Sequence, residues 1–186
     1  MIANERLYTV EDFWDFINLP QNADRKFELV NGVMVEAMSP NLEHGEIALQ
    51  IGAFMHTFVK PRGLGTVVVE VDHYIPPDRF NTRRPDVAFI SSERLRNLVR
   101  NAAVPLMPDL AIEIKSPGNT HEELKQKAAY YLQNGSRIVW LVFPETQTVA
   151  DYTTSDPGGK IFNLDSELDG GDGLPGFKLP VKYIFS

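Results

Sequence analysis

Residues 109–143 constrain the fold of this chain more than any other stretch. Asp109-Leu110-Ala111-Ile112-Glu113-Ile114-Lys115 alternates strictly between apolar and other side chains. In an extended strand, Leu110, Ile112 and Ile114 fall on one face and Asp109, Ala111, Glu113 and Lys115 on the other. Thr120 and Glu123 then have the spacing of a capping box, predicting a helix over 120–134 with Gly135 just past its end. Ile138-Val139-Trp140-Leu141-Val142-Phe143 is a continuous apolar run, as expected of a strand covered on both faces. Strand, helix and strand read together as a βαβ crossover. The fold class is therefore α/β, with a central mixed, twisted sheet flanked by helices.

The rest of the chain supplies the layers around that unit. Thr9 with Asp12 starts a short amphipathic helix that stops at Pro20. Asn31-Gly32 lies between the apolar runs 25–30 and 33–37, the strongest short signal for a hairpin, because a type I′ turn needs positive φ at both central residues. A long helix follows Asn41, with Ile47, Ile51, Phe54, Met55 and Phe58 on one stripe, and ends near Gly63. Residues 66–71 and 86–90 read as strands and 91–95 as a short helix. Residues 97–108 read as an exposed loop, 147–153 as a strand and the remainder as turn-rich.

The 186 residues, 43% hydrophobic and 23% charged, fit one globular domain spanning 1–186. The absence of cysteine excludes disulfides and thiolate metal sites. A net charge of −7 counts against a simple nucleic-acid-binding module, which needs clustered Lys and Arg, although a local basic strip remains compatible with it. There is neither a signal-peptide pattern at residues 1–6 nor an apolar run of membrane-spanning length, so a cytoplasmic protein is expected.

Glu113 and Lys115 project from one side of their strand, about 6.6 Å apart along the backbone. Such a pair is either a surface ion pair or part of an active site. Arg84-Pro85-Asp86 leads into another strand. If the two strands are neighbours, Asp86 and Glu113 meet at one edge. Two carboxylates that close repel unless a cation joins them, and Mg²⁺ suits the task, with Mn²⁺ as a substitute. A nearby lysine can assist a metal-bound water or stabilise developing phosphorane charge. The second Pro-Asp, at Pro108-Asp109, lies on the same strand as Glu113 about 13 Å away, too far to share an ion.

These residues carry a family resemblance. Pro85-Asp86 followed by Glu113-Ile114-Lys115 resembles the signature of the PD-(D/E)XK nuclease superfamily, the restriction-endonuclease-like fold. The wider pattern is similar to the Uma family of restriction-endonuclease-like proteins. It comprises Phe27 to Gly32, Met38-Ser39-Pro40, His44-Gly45, Arg84 to Phe89 and Pro108 to Pro117. It continues with the spacing of Lys127, Tyr131, Gly135 and Trp140, then Asp165 to Leu168 and Leu174 to Phe177, so that it covers roughly residues 8–185. The resemblance implies a restriction-endonuclease-like core, a divalent-metal site, a DNA substrate and often a homodimer. It assigns Asp86 and Glu113 as metal ligands and Lys115 as the catalytic lysine. Glu28 becomes an accessory acid, His44 a contributor near a helix start, and Lys127 a phosphate contact or charge partner. Many family members replace the lysine that Lys115 retains.

Each assignment has a plainer counterpart. Asp86 can cap a strand, Glu28 can face solvent on the hairpin, and His44 and Lys127 can sit on solvated helix faces. Tyr131 and Trp140 are expected in the core. Glu70 and Asp72 alternate on one strand face and can join the acidic cluster. Alternatively, the chain keeps the nuclease fold without the chemistry and serves a binding or regulatory role.

Overall fold

A computed structural model describes residues 6–37 and 39–186. Residues 1–6, apart from Arg6, and Met38 of the Met38-Ser39-Pro40 motif lie outside the described residues. In chain order the helices are α1 (Val10–Ile17), α2 (Leu42–Arg62), α3 (Ser92–Leu95) and α4 (His121–Gln133). The strands are β1 (Phe27–Val30), β2 (Val33–Glu36), β3 (Gly65–Val69), β4 (His73–Tyr74), β5 (Thr82–Arg83), β6 (Val87–Ser91), β7 (Leu110–Ile114), β8 (Ile138–Phe143), β9 (Thr148–Thr153), β10 (Lys160–Phe162), β11 (Glu167–Asp169) and β12 (Lys178–Pro180).

Six strands form the main sheet in the order β10-β9-β8-β7-β6-β3. β7 and β8 are parallel and joined by α4, which is the expected βαβ unit. The other neighbours in this sheet are antiparallel, so the sheet is mixed. The alternation of β7 sorts its side chains as expected. Leu110, Ile112 and Ile114 join a core with Ile47, Ile51, Met55 and Val59 of α2. Ala111 instead joins Leu124, Ala128 and Tyr131 of α4, together with Val139 and Leu141 of β8. With a helix over each face, every residue of β7 is buried, Glu113 included.

Both capping boxes form. The Thr9 and Thr120 side chains accept from the backbone N–H of Asp12 and Glu123, whose carboxylates accept from the backbone N–H of the threonines. Asn31 and Gly32 have φ of 50° and 77° between β1 and β2, the left-handed pair that the turn demands. Val10 and Phe13 of α1 pack on Phe27 and Leu29 of β1, so the hairpin has a small core of its own. It is tied down where Thr82 Oγ1 accepts from Leu29 N–H at 2.8 Å.

The structure departs from the sequence reading in four places. Phe54 turns outward and stacks on Tyr183, while Val59 takes the inner position. β3 ends at Val69 because Glu70 adopts φ of 50°, so Glu70 and Asp72 are not alternating strand residues. Glu70 pairs with Lys26 and Asp72 with Arg84. The 97–108 stretch is not simply exposed: Val104 bridges to His73, and Met107 is fully buried. The turn-rich tail contains β10, β11 and β12, and its Leu168, Leu174, Phe177, Leu179 and Val181 cover the α2 side of the sheet.

Candidate active site

β6 and β7 are adjacent and antiparallel, with Val87 opposite Ile112 and Ala88 opposite Ala111. One step beyond Val87, Asp86 comes level with Glu113. The contact is direct at the backbone, where Asp86 Oδ2 accepts from Ile114 N–H at 2.6 Å. The two carboxylates thus sit where β6 begins and β7 ends. They line a cavity of about 640 Å³ together with Glu28, His44, Lys127 and Tyr130. The β1–β2 hairpin forms one wall and α4 another, so the two elements flanking the sheet enclose the acidic residues.

Glu113 is only 4% exposed. Tyr131 donates its hydroxyl to Oε1 at 2.7 Å, and Lys127 Nζ donates to Oε2 at 3.2 Å. Burial pushes the Glu113 carboxyl up to about 7. Lys127 pulls against that shift, and the negative charges of Asp86 and Glu28 add to it. Glu28 reaches the same place from β1. Its Oε1 accepts from Lys127 Nζ at 3.0 Å and from Arg84 N–H at 3.2 Å. Lys127 therefore bridges two carboxylates from two different strands. Burial alone would lower its pKa, but Glu113 and Glu28 outweigh that and raise it.

His44, near the start of α2, places Nε2 3.0 Å from Asp86 Oδ1, while its Nδ1 lies 3.2 Å from Ser116 Oγ. Burial opposes protonation of the ring. The bond to Asp86 and the negative charges of Asp86, Glu113 and Glu70 together outweigh that opposition and hold His44 above its ordinary pKa. Asn41 accepts from His44 N–H as the N-cap of α2, which sets the first turn of the helix against Asp86.

Asp86, Glu113, Glu28, His44 and Lys127 are thus brought together. Lys115 is placed differently. β7 ends at Ile114, and the Lys115 ammonium pairs with Glu145 at 2.9 Å. It lines an adjoining pocket with Asn41, Glu43, Pro117 and Pro144, to which His44 also contributes. Partial burial opposes ionisation of Glu145, but the bond to Lys115, a backbone hydrogen bond and the nearby positive charge together hold the carboxyl below its usual range. Tyr131 is in the core as expected, but its bond to Glu113 was missed. The signal was available, because Lys127 and Tyr131 are four residues apart and share one face of α4. Ser116 and Glu145 carry no comparable signal, since neither has a periodic relation to its partner.

Asp109, the rejected second Pro-Asp, is 1% exposed at the far end of β7. Its Oδ2 accepts from Ser91 N–H at 2.8 Å, and Arg94 and Arg137 stand 3.3 and 3.5 Å from Oδ1. It ties β7 to the end of β6 and has no part in the cavity.

The donor set fits a hard divalent cation. Asp86, Glu113 and Glu28 offer carboxylate oxygens, each with more lone pairs than its present partners use. Buried Glu113 stands next to a second acid, an arrangement that an added positive charge relieves. Among the described residues, no three Asp, Glu or His side chains are gathered into a ready cage.

Comparison with known proteins bears on the fold and the family. A crystal structure of a putative nuclease belonging to DUF820 from Anabaena variabilis superposes with a TM-score of 0.81. It shares 20% sequence identity, and the match covers 95% of this chain and 97% of that one. A search of curated proteins returns no match. The family model described as "Uma2: Putative restriction endonuclease" matches residues 13–182. The chain belongs to the Uma2 family.

Proposed function

We propose that this protein is a divalent-metal-dependent endonuclease that hydrolyses DNA phosphodiester bonds. The observation that carries the reading is the meeting of Asp86 and Glu113 at the junction of β6 and β7, inside a cavity walled by the hairpin and α4. Asp86 and Glu113 would hold Mg²⁺, or Mn²⁺ in its place, with Glu28 as the third acid within reach of Lys127. When bound, the ion supplies Lewis acidity to the phosphate and lowers the pKa of an attacking water. The chain's own residues do the remaining work. His44 and Ile114 N–H hold the Asp86 carboxylate in place. Tyr131 fixes one oxygen of Glu113 and leaves the other facing Lys127. The lysine nearest the acids is Lys127. Lys115 assists the attacking water in this reading only by leaving Glu145, and its present partner is the reason to test both lysines.

The overall charge of −7 makes electrostatic steering of DNA weak, so the local cations and the metal must supply the attraction. The protein is proposed to act in the cytoplasm as a homodimer, with twice the chain mass expected in light scattering. Among the described residues, no helix is long and apolar enough to cross a membrane.

Incubation with plasmid DNA and Mg²⁺ or Mn²⁺ tests the assignment. Asp86→Ala and Glu113→Gln are each expected to cut cleavage by at least about a hundredfold, the usual scale for losing an electrostatic catalytic group. Cleavage unchanged in both variants contradicts it. A second reading is a catalytically silent nuclease fold with a binding or regulatory role. It is favoured by one observation: Asp86 is already paired with His44, and Glu113 and Glu28 with the Lys127 ammonium. That reading expects neither cleavage nor a saturable Mn²⁺ site.

A further inference from the structure

Lys127 of α4 sits in an unusual place for a phosphate contact. Lys127 Nζ lies between Glu28 and Glu113, at 3.0 and 3.2 Å, where both carboxylates are turned toward it. We propose that Lys127 is a built-in counter-cation, holding the seat between Glu113 and Glu28 and leaving it when a divalent ion binds. The inference rests on the metal-dependent reading above and assigns Lys127 a positioning role within it.

The seat does not depend on the lysine. Glu28 keeps its bond from Arg84 N–H, and Glu113 keeps its bond from Tyr131. Each carboxylate therefore keeps an anchor of its own: the Arg84 N–H on Glu28 Oε1, the oxygen that Lys127 also holds, and the Tyr131 hydroxyl on Glu113 Oε1, opposite the one facing Lys127. Removing the ammonium leaves two acids facing one another across a gap, near Asp86. In a buried setting that is costly unless another cation enters. A divalent ion brings twice the charge to the same oxygens.

The lysine has somewhere to go. Its side chain is 24% exposed and lines the 640 Å³ cavity, so the flexible stem can turn into open space without disturbing the core. It remains tethered to α4, and there a substrate phosphate replaces the carboxylates as its anionic partner. Lys115 is not equivalent, because its ammonium is committed to Glu145 in the adjoining pocket.

The test is Mn²⁺ titration of the full chain by calorimetry at pH 8, with wild type, Lys127→Met, Lys127→Arg and Lys125→Met. Lys125 is exposed on the same helix and removes one charge without touching the seat. Lys127→Met is expected to bind Mn²⁺ about tenfold tighter than wild type, a difference readily resolved by calorimetry, while Lys125→Met binds as wild type does. Mn²⁺ affinity in folded Lys127→Met that is unchanged or weaker overturns the inference. So does equal tightening in Lys125→Met, which traces the effect to net charge alone. If Lys127→Met does not fold, Lys127→Arg decides. Its forked guanidinium holds the two carboxylates more firmly and is expected to weaken Mn²⁺ binding, and an unchanged affinity overturns the proposal. Wild type with no saturable Mn²⁺ site sinks the metal-dependent reading itself, an outcome distinct from a wild-type site that ignores Lys127.

Discussion

Glu113 holds a charge in a position where burial works against it. In the unfolded chain its carboxyl titrates at the ordinary 4.5, and in the fold it titrates at about 7. The folded form therefore binds a proton that the unfolded form has already released. The stability this residue contributes is complete below 4.5 and is lost as pH rises to about 7. His73 works in the opposite direction. It is fully buried, its Nδ1 lies 2.8 Å from the Leu106 carbonyl, and burial depresses its pKa from 6.5 to about 4. Its contribution is present above 6.5 and is lost as pH falls toward 4. The two windows overlap and oppose each other, so neither slope shows cleanly in the wild type. Glu113→Gln separates them. Relative to wild type, its melting temperature is expected to become more favourable between pH 5 and pH 8, because glutamine has no buried charge to form. A difference that stays constant across that range means that the Glu113 carboxyl is not raised.

Among the elements, the β1–β2 hairpin is the piece on which the cavity most depends, because it delivers Glu28. Its turn requires φ of 77° at Gly32, and a Cβ there would lie 2.9 Å from the Leu7 Cβ. Gly32→Ala is expected to lower stability by about 1–2 kcal/mol, the cost of left-handed backbone for an L-residue. Urea unfolding should show a lower midpoint with an unchanged slope, and an unchanged midpoint would contradict the turn assignment. This hairpin, both capping boxes and the β7–α4–β8 crossover were legible in the sequence, since each is encoded by residues close together in the chain. The runs at 66–71, 86–90 and 147–153 were legible as well and form β3, β6 and β9, whereas β4, β5 and β10 to β12 were not. β4 and β5 are two residues long and exist through their pairing, while β10 to β12 lie among Gly, Pro and Asp and are held by distant partners. The candidate site divides along the same line. Adjacent strands put Asp86 beside Glu113, as their alternation implied. Lys115 follows the last residue of β7, so strand periodicity could not foretell that it would meet Glu145.

At the scale of the molecule, the two ends of the central strand are built differently. Asp109 locks the N-terminal end of β7 to Ser91, Arg94 and Arg137. Glu113 opens the C-terminal end toward the hairpin, α2 and α4. The sheet is covered by α2 and the tail on one face and by α4 on the other, which leaves this end as the place where buried acids reach a cavity. The central claim is that the acids gathered there bind a divalent ion. Anomalous diffraction from a crystal soaked in Mn²⁺ addresses it most directly. A single strong peak is expected, bonded to carboxylate oxygens of Asp86 and Glu113 at roughly the 2.1 Å typical of small divalent ions. A fully soaked crystal with no peak between those two residues, and Lys127 still seated on Glu113 and Glu28, would contradict it.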